Sequence, residues 1–120
     1  MAAIDRITVS VEHREGIAVV VVGGEIDLNT APALETAVSD VLAQEPGALI
    51  VQLSAVDFMG SVGLRILVTT QQNIGAADRF AVVANGPATS RPIQLTGLDE
   101  TLSLYPTLDE AVRALRTSAE

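Results

Sequence analysis

The chain has no cysteine, which excludes a disulfide framework, a thiol nucleophile and thiolate metal sites. It has no lysine either: all 7 basic side chains are arginine, so a Schiff-base lysine and the phosphate-binding lysine of a P-loop are excluded. The single histidine, His13, reads as an exposed turn residue, and no cluster of carboxylates stands ready to complete a zinc site around it. Tryptophan is absent and aromatic residues make up 2% of the chain, so the core must be aliphatic, built from valine, leucine and isoleucine.

Positive charge is scarce: 15 acidic residues against 7 basic ones give a formal net charge of -8. Such a surface repels nucleic acid phosphates and anionic membranes and suits a partner with a basic patch. The apolar run Val19 to Val22 is far too short to span a bilayer, and no basic stretch followed by an apolar one marks the N-terminus. These features predict a cytoplasmic protein. With 120 residues the expected organisation is one domain over 1–120, its core about 7–115.

Apolar periodicity supplies the elements. Ile7, Val9 and Val11 alternate with polar residues as in a strand covered on one face, and His13 to Gly16 reads as a turn. Ile17 to Val22 is continuously apolar, as in a strand buried on both faces, and Gly23-Gly24 is expected to end it. Thr30 is a candidate cap for a helix with Pro32 in its first turn and an inner face of Leu34, Ala37, Val38, Val41 and Leu42, closed by Pro46-Gly47. A second buried strand runs from Ala48 through Leu53. The following helix is expected to carry Leu64, Leu67, Val68 and Ile74 inward, and Gly75 stops it. Phe80 to Ala84 is a short strand, Ala88 to Leu98 a short or irregular helix broken by Pro92, and Leu102 to Tyr105 a brief strand. Thr107 and Glu110 fit a capping box opening a last helix whose inner face is Leu108, Ala111, Val112 and Leu115. The order β-β-α-β-α-β-α-β-α predicts an α/β fold: one mixed, mostly parallel sheet of about five strands, with an antiparallel N-terminal edge strand and flanking helices.

The segment with chemical character lies between the second buried strand and its helix, Ser54 to Leu67, where Gly60, Ser61 and Gly63 meet at the strand-to-helix junction. Ser61 is expected to be the helix N-cap, accepting an amide hydrogen from Gly63 or Leu64. A phosphate on Ser61 would add roughly -1.5 to -2 charge, near Asp27 and Asp57. Catalysis by Asp27, Asp57 and Ser61 lacks a histidine or lysine to activate the hydroxyl, and Gly60-Ser61-Val62-Gly63 has neither the length nor the spacing of a phosphate-binding loop. No catalytic residue, cofactor or metal ligand is assigned.

Gly24-Glu25-Ile26-Asp27, the helix start Thr30-Ala31-Pro32, and Phe58-Met59-Gly60-Ser61-Val62-Gly63-Leu64 together resemble a bacterial anti-sigma factor antagonist of the STAS domain family, and the likeness runs from about Ile7 to Leu115. The resemblance implies a STAS-like domain that captures a kinase-type anti-sigma factor and so frees a sigma factor for transcription. It further implies that the partner phosphorylates a serine with ATP to end the capture, and that a serine phosphatase reverses this. Carried onto this chain, the partner-binding residues are Asp27, Asn29, Thr30, Gly60, Ser61 and Val62, with Arg65, Thr69 and Gln72 on the exposed side of the helix.

The chain departs from the family at the switch itself. The usual run is Asp-Ser-Ser-Gly or Asp-Ser-Thr-Gly, with phosphate on the residue before the glycine; here that residue is Val62, and Gly60 replaces the aspartate. Either Ser61 takes the phosphate, as in a mycobacterial-like subgroup the chain resembles, or the protein is a constitutive scaffold without a switch. A small-molecule sensor with ligands at the strand ends is the third reading.

Overall fold

The computed structural model describes residues 6–119. Two strands, β1 (Ile7–Arg14) and β2 (Ile17–Ile26), form an antiparallel hairpin. Its turn needs only Glu15 and Gly16, both at positive φ (53° and 82°), the geometry that matches the twist of two-residue hairpins. His13 and Arg14, expected in the turn, are therefore the last residues of β1. From β2 onward every pairing is parallel: β3 (Ala48–Met59), β4 (Phe80–Val83) and β5 (Leu104–Tyr105) follow in spatial order β1-β2-β3-β4-β5. The predicted mixed sheet with an antiparallel edge is the one observed.

Helices cover both faces. On one lie α1 (Ala31–Ala43), α2 (Ser61–Ile74) and the short α3 (Ser90–Leu95), which close a core with Val20, Val22 and Ile26 of β2, Leu49, Val51 and Leu53 of β3, and Phe80 and Val82 of β4. On the other, α4 (Leu108–Ala119) seals Ile17, Val19, Ile50, Ala81 and Val83 with Ala111, Val112 and Leu115. Continuous apolar runs in β2 and β3 thus reflect burial on both sides, as read from the sequence.

Several local expectations change. β2 does not end at Gly23-Gly24, nor β3 at Leu53; each runs on to the junction. Pairing continues because β3 accommodates an extra residue at two places, between Gln52 and Ala55 and between Val56 and Phe58, so it bulges against β2. Two glycines make the close packing there possible. A Cβ on Gly23 would stand 2.8 Å from Thr8 Oγ1 and 3.3 Å from Ala55 Cβ, and one on Gly24 (φ 90°) would collide with the carbonyl oxygen of Arg6.

The α2 stripe is also rotated from its expected position: Val62, Gly63, Ile66, Leu67 and Thr70 are buried, while Leu64 and Ile74 pack at the core's margin. Glu45 (φ 52°) takes the left-handed position after α1, ahead of Pro46-Gly47. Gly75 (φ 77°) ends α2 as expected, its amide bonded to the Gln71 carbonyl at 2.9 Å. At the head of α4, Thr107 Oγ1 accepts the Glu110 amide hydrogen at 3.2 Å and also meets the Glu110 carboxylate, half of the anticipated capping box.

Candidate protein-binding site

The site is assembled where β2 and β3 deliver their chains to α1 and α2. Ile26 pairs with Met59, and the Gly60 amide donates to the Ile26 carbonyl at 2.9 Å, so the two strand-to-helix junctions are bonded side by side. Residues 27–30 form one turn held by its own side chains. Asp27 Oδ1 accepts from the Asn29 amide at 2.9 Å and the Thr30 amide at 3.0 Å, while Asp27 Oδ2 lies 2.8 Å from Arg6 Nη2. Thr30 Oγ1 accepts the Asp27 amide hydrogen and donates to the Glu25 carbonyl, both at 2.8 Å. Thr30 occupies the N-cap position of α1, but its hydroxyl points back into this turn and makes no cap bond to the helix.

Partial burial acts to raise the Asp27 pKa, but the Thr30 and Asn29 amides, the Arg6 guanidinium and the Thr30 hydroxyl together outweigh it, and the carboxyl titrates below its ordinary value. A depressed carboxylate stabilises the fold fully above the unfolded-state pKa, and that contribution is lost as pH falls through the folded-state value. The stability difference between the wild type and Asp27→Asn is therefore expected to be constant above about pH 5 and to shrink on acidification; denaturant melts from neutral to strongly acidic pH measure it. A difference that grows toward acid would contradict the assignment.

Ser61 is exposed, but it is the first residue of α2 and not its cap. Gly60, extended at φ -79° and ψ 177°, holds the cap position, and no side chain caps the helix. Because the Ser61 hydroxyl makes no cap bond, Ser61→Ala should leave stability within about 0.5 kcal/mol of the wild type in a thermal melt. Val62, by contrast, is 8% exposed and belongs to the core, so a partner would reach only its backbone. Gly63 brings α2 down onto the strand ends: a Cβ there would lie 2.5 Å from Met59 Cγ and 3.1 Å from Ile26 Cγ2.

Around Ser61 the surface is mixed. Leu28, in the Asp27–Thr30 turn, is 78% exposed, and Phe58, opposite Glu25 at the end of β3, is 52% exposed, its ring within ordinary contact distance of where a Gly60 Cβ would sit. Asp57 is the exposed extra residue of the second bulge. Arg65, Thr69 and Gln72 are exposed along α2, and Arg65 and Thr69 line a shallow groove of about 110 Å³ against Glu35 and Ser39 of α1. Among the described residues no cluster of metal-ligating side chains occurs, and no helix is long and apolar enough to cross a membrane.

The family model for the STAS domain matches residues 8–111, nearly the whole of this fold. The chain belongs to the STAS family. Among the relatives of this STAS chain is the anti-sigma-F factor antagonist RsfB of Mycobacterium tuberculosis, 53% identical over 116 residues that cover 97% of this chain and 95% of RsfB. The crystal structure of an anti-sigma factor antagonist from Mycobacterium paratuberculosis superposes with a TM-score of 0.90 at 57% identity, covering 97% of this chain and 99% of that one. The anti-sigma factor antagonist SpoIIAA, solved in its unphosphorylated form, shares the fold at 18% identity and a TM-score of 0.71, over 92% of this chain and 97% of its own.

In this STAS domain the sequence-assigned residues thus separate into two groups. Asn29, Ser61, Arg65, Thr69 and Gln72 are exposed and Gly60 is half-buried, whereas Asp27 and Thr30 are engaged within their turn and Val62 is buried. Sequence reasoning missed Leu28 and Phe58. Leu28 interrupts an otherwise polar turn, a signal that was available; Phe58 reads as one more apolar strand residue until the bulge beside it is known.

Proposed function

We propose that the chain is an anti-sigma factor antagonist: it captures a kinase-type anti-sigma factor, freeing a sigma factor for transcription, and phosphorylation of Ser61 ends the capture. The observation that carries this reading is the exposed Ser61 beside exposed Leu28 and Phe58, in a chain so similar to mycobacterial proteins named as anti-sigma factor antagonists. It is a binding module and not an enzyme. The contact surface comprises the 27–30 turn, Phe58, Gly60 and Ser61, with Arg65, Thr69 and Gln72 along α2. Apolar side chains ringed by polar ones are the usual composition of a protein-binding patch.

Exposure supports Ser61 as the modified residue, since the neighbouring family position holds a buried valine. In the proposed transfer, Ser61 Oγ forms the new bond to the γ-phosphorus of the partner's ATP. The bond from that phosphorus to the bridging oxygen breaks, ADP leaves, and the hydroxyl proton passes to solvent. A serine phosphatase would restore the hydroxyl. Val62 favours one other reading, a constitutive binder without a switch; a stoichiometric mass increase at Ser61 after incubation with partner and ATP separates the two.

Calorimetric titration against the kinase-like anti-sigma factors of the same genome tests the proposal. Tight binding by the unmodified protein is expected, weakened at least tenfold, about 1.4 kcal/mol, by Ser61→Glu. Absence of binding to every such factor would overturn it.

A further inference from the structure

We infer that Arg65 is the intramolecular ligand of a phosphate on Ser61, so that modification both adds charge and withdraws a cation from the partner-facing surface. This rests on Ser61 being the modified residue. Both side chains are exposed on α2, four residues apart, the spacing at which side chains on one helix face meet. Arg6, Arg14, Arg79 and Arg116 are already engaged, with Glu25 and Asp27, with Asp109, with the Pro46 and Gly47 carbonyls, and with Glu15. Arg65 has no ion pair among the described residues. Glu35, the acidic residue that lines the α1–α2 groove with Arg65, forms no salt bridge with it.

Competing charges at the junction favour this pairing. Asp27 is compensated by Arg6 and by two backbone amides, which leaves exposed Asp57 as the uncompensated carboxylate of the neighbouring strand end. A phosphate of roughly -1.5 to -2 charge outweighs a single carboxylate such as Glu35 in attracting the guanidinium, and its oxygens accept two parallel N–H bonds from it. Before modification Arg65 is available to an acidic group of the partner; afterwards it is occupied from within its own helix.

The test uses full-length protein with phosphoserine installed at position 61 during translation, so it depends on neither a kinase nor a partner. Phosphorus NMR follows the second ionisation of the phosphate in the wild type, Arg65→Gln, Arg65→Lys and Arg14→Gln. Arg14 supplies the control because it pairs with Ile17 at the far end of β2 from the junction. Arg65→Gln is expected to raise the phosphate pKa by about 0.5 unit at low salt. Arg65→Lys should retain most of the wild-type value, and Arg14→Gln should leave it unchanged. Equal values in wild type and Arg65→Gln, or an equal rise in Arg14→Gln, would overturn the inference. Calorimetry of the unmodified protein fails or succeeds separately and reports only on the proposed function.

Discussion

Gly24→Ala is expected to cost about 3 kcal/mol, on the order of 10 °C in melting temperature for a chain of this size. Two penalties coincide at this position. The backbone holds φ at 90°, where an L-residue is strained, and the added Cβ collides with the Arg6 carbonyl oxygen. That oxygen cannot move freely, because it accepts the Glu25 amide hydrogen at 2.7 Å. Gly16→Ala provides the comparison: φ is 82°, but nothing lies within 4 Å of the new Cβ, so only the strain remains, about 1 to 2 kcal/mol. Denaturant and thermal melts of both variants would measure the gap. If Gly24→Ala is no more costly than Gly16→Ala, the close approach of Arg6, the residue before β1, to Gly24 is wrong.

Phe58→Ala should weaken capture of the anti-sigma factor about 30-fold or more, roughly 2 kcal/mol, while leaving the fold nearly as stable as before. The asymmetry follows from its half-exposed position: the ring gives up little internal packing on truncation, yet it is the large aromatic beside Ser61 available to fill a partner pocket. Val11→Ala removes an exposed apolar side chain from the edge strand and should leave affinity unchanged. Titration calorimetry with matched melts distinguishes lost contact from lost structure. Equal affinities for Phe58→Ala and Val11→Ala would remove Phe58 from the interface.

Element order and sheet topology were legible in the sequence because they depend on long-range patterns that few alternatives satisfy: two continuous apolar strands, helical stripes between them and a polar-alternating edge. The strand ends were not. Gly23-Gly24 reads as punctuation by composition, yet here it serves a bulged continuation of β2 whose partner, β3, supplies the extra residues. Ser61 shows the same limit at finer scale: it has the right chemistry for a cap, but the chain enters the helix one residue earlier, at Gly60. The inward face of α2 is set by packing: Gly63 seats the helix against Met59 and Ile26 at the strand ends, so Val62 and Ile66 on the same side turn inward while Arg65 and Thr69 stay outside, as their polarity predicts. Leu28 was legible as an apolar residue in a polar turn, whereas Phe58 became recognisable only once the bulge beside it and its exposure were known.

The turn from Asp27 to Thr30 makes its hydrogen bonds within itself and to the Glu25 carbonyl, and the Gly60–Ile26 bond ties it to the head of α2. No segment of this surface has to be ordered during association, and little entropy is lost in shaping it. Encounter and orientation should then set the pace of capture, at about 10⁵ to 10⁷ M⁻¹ s⁻¹ and linear in partner concentration. The difference between a tight and a weak partner would lie almost entirely in how long the complex lasts.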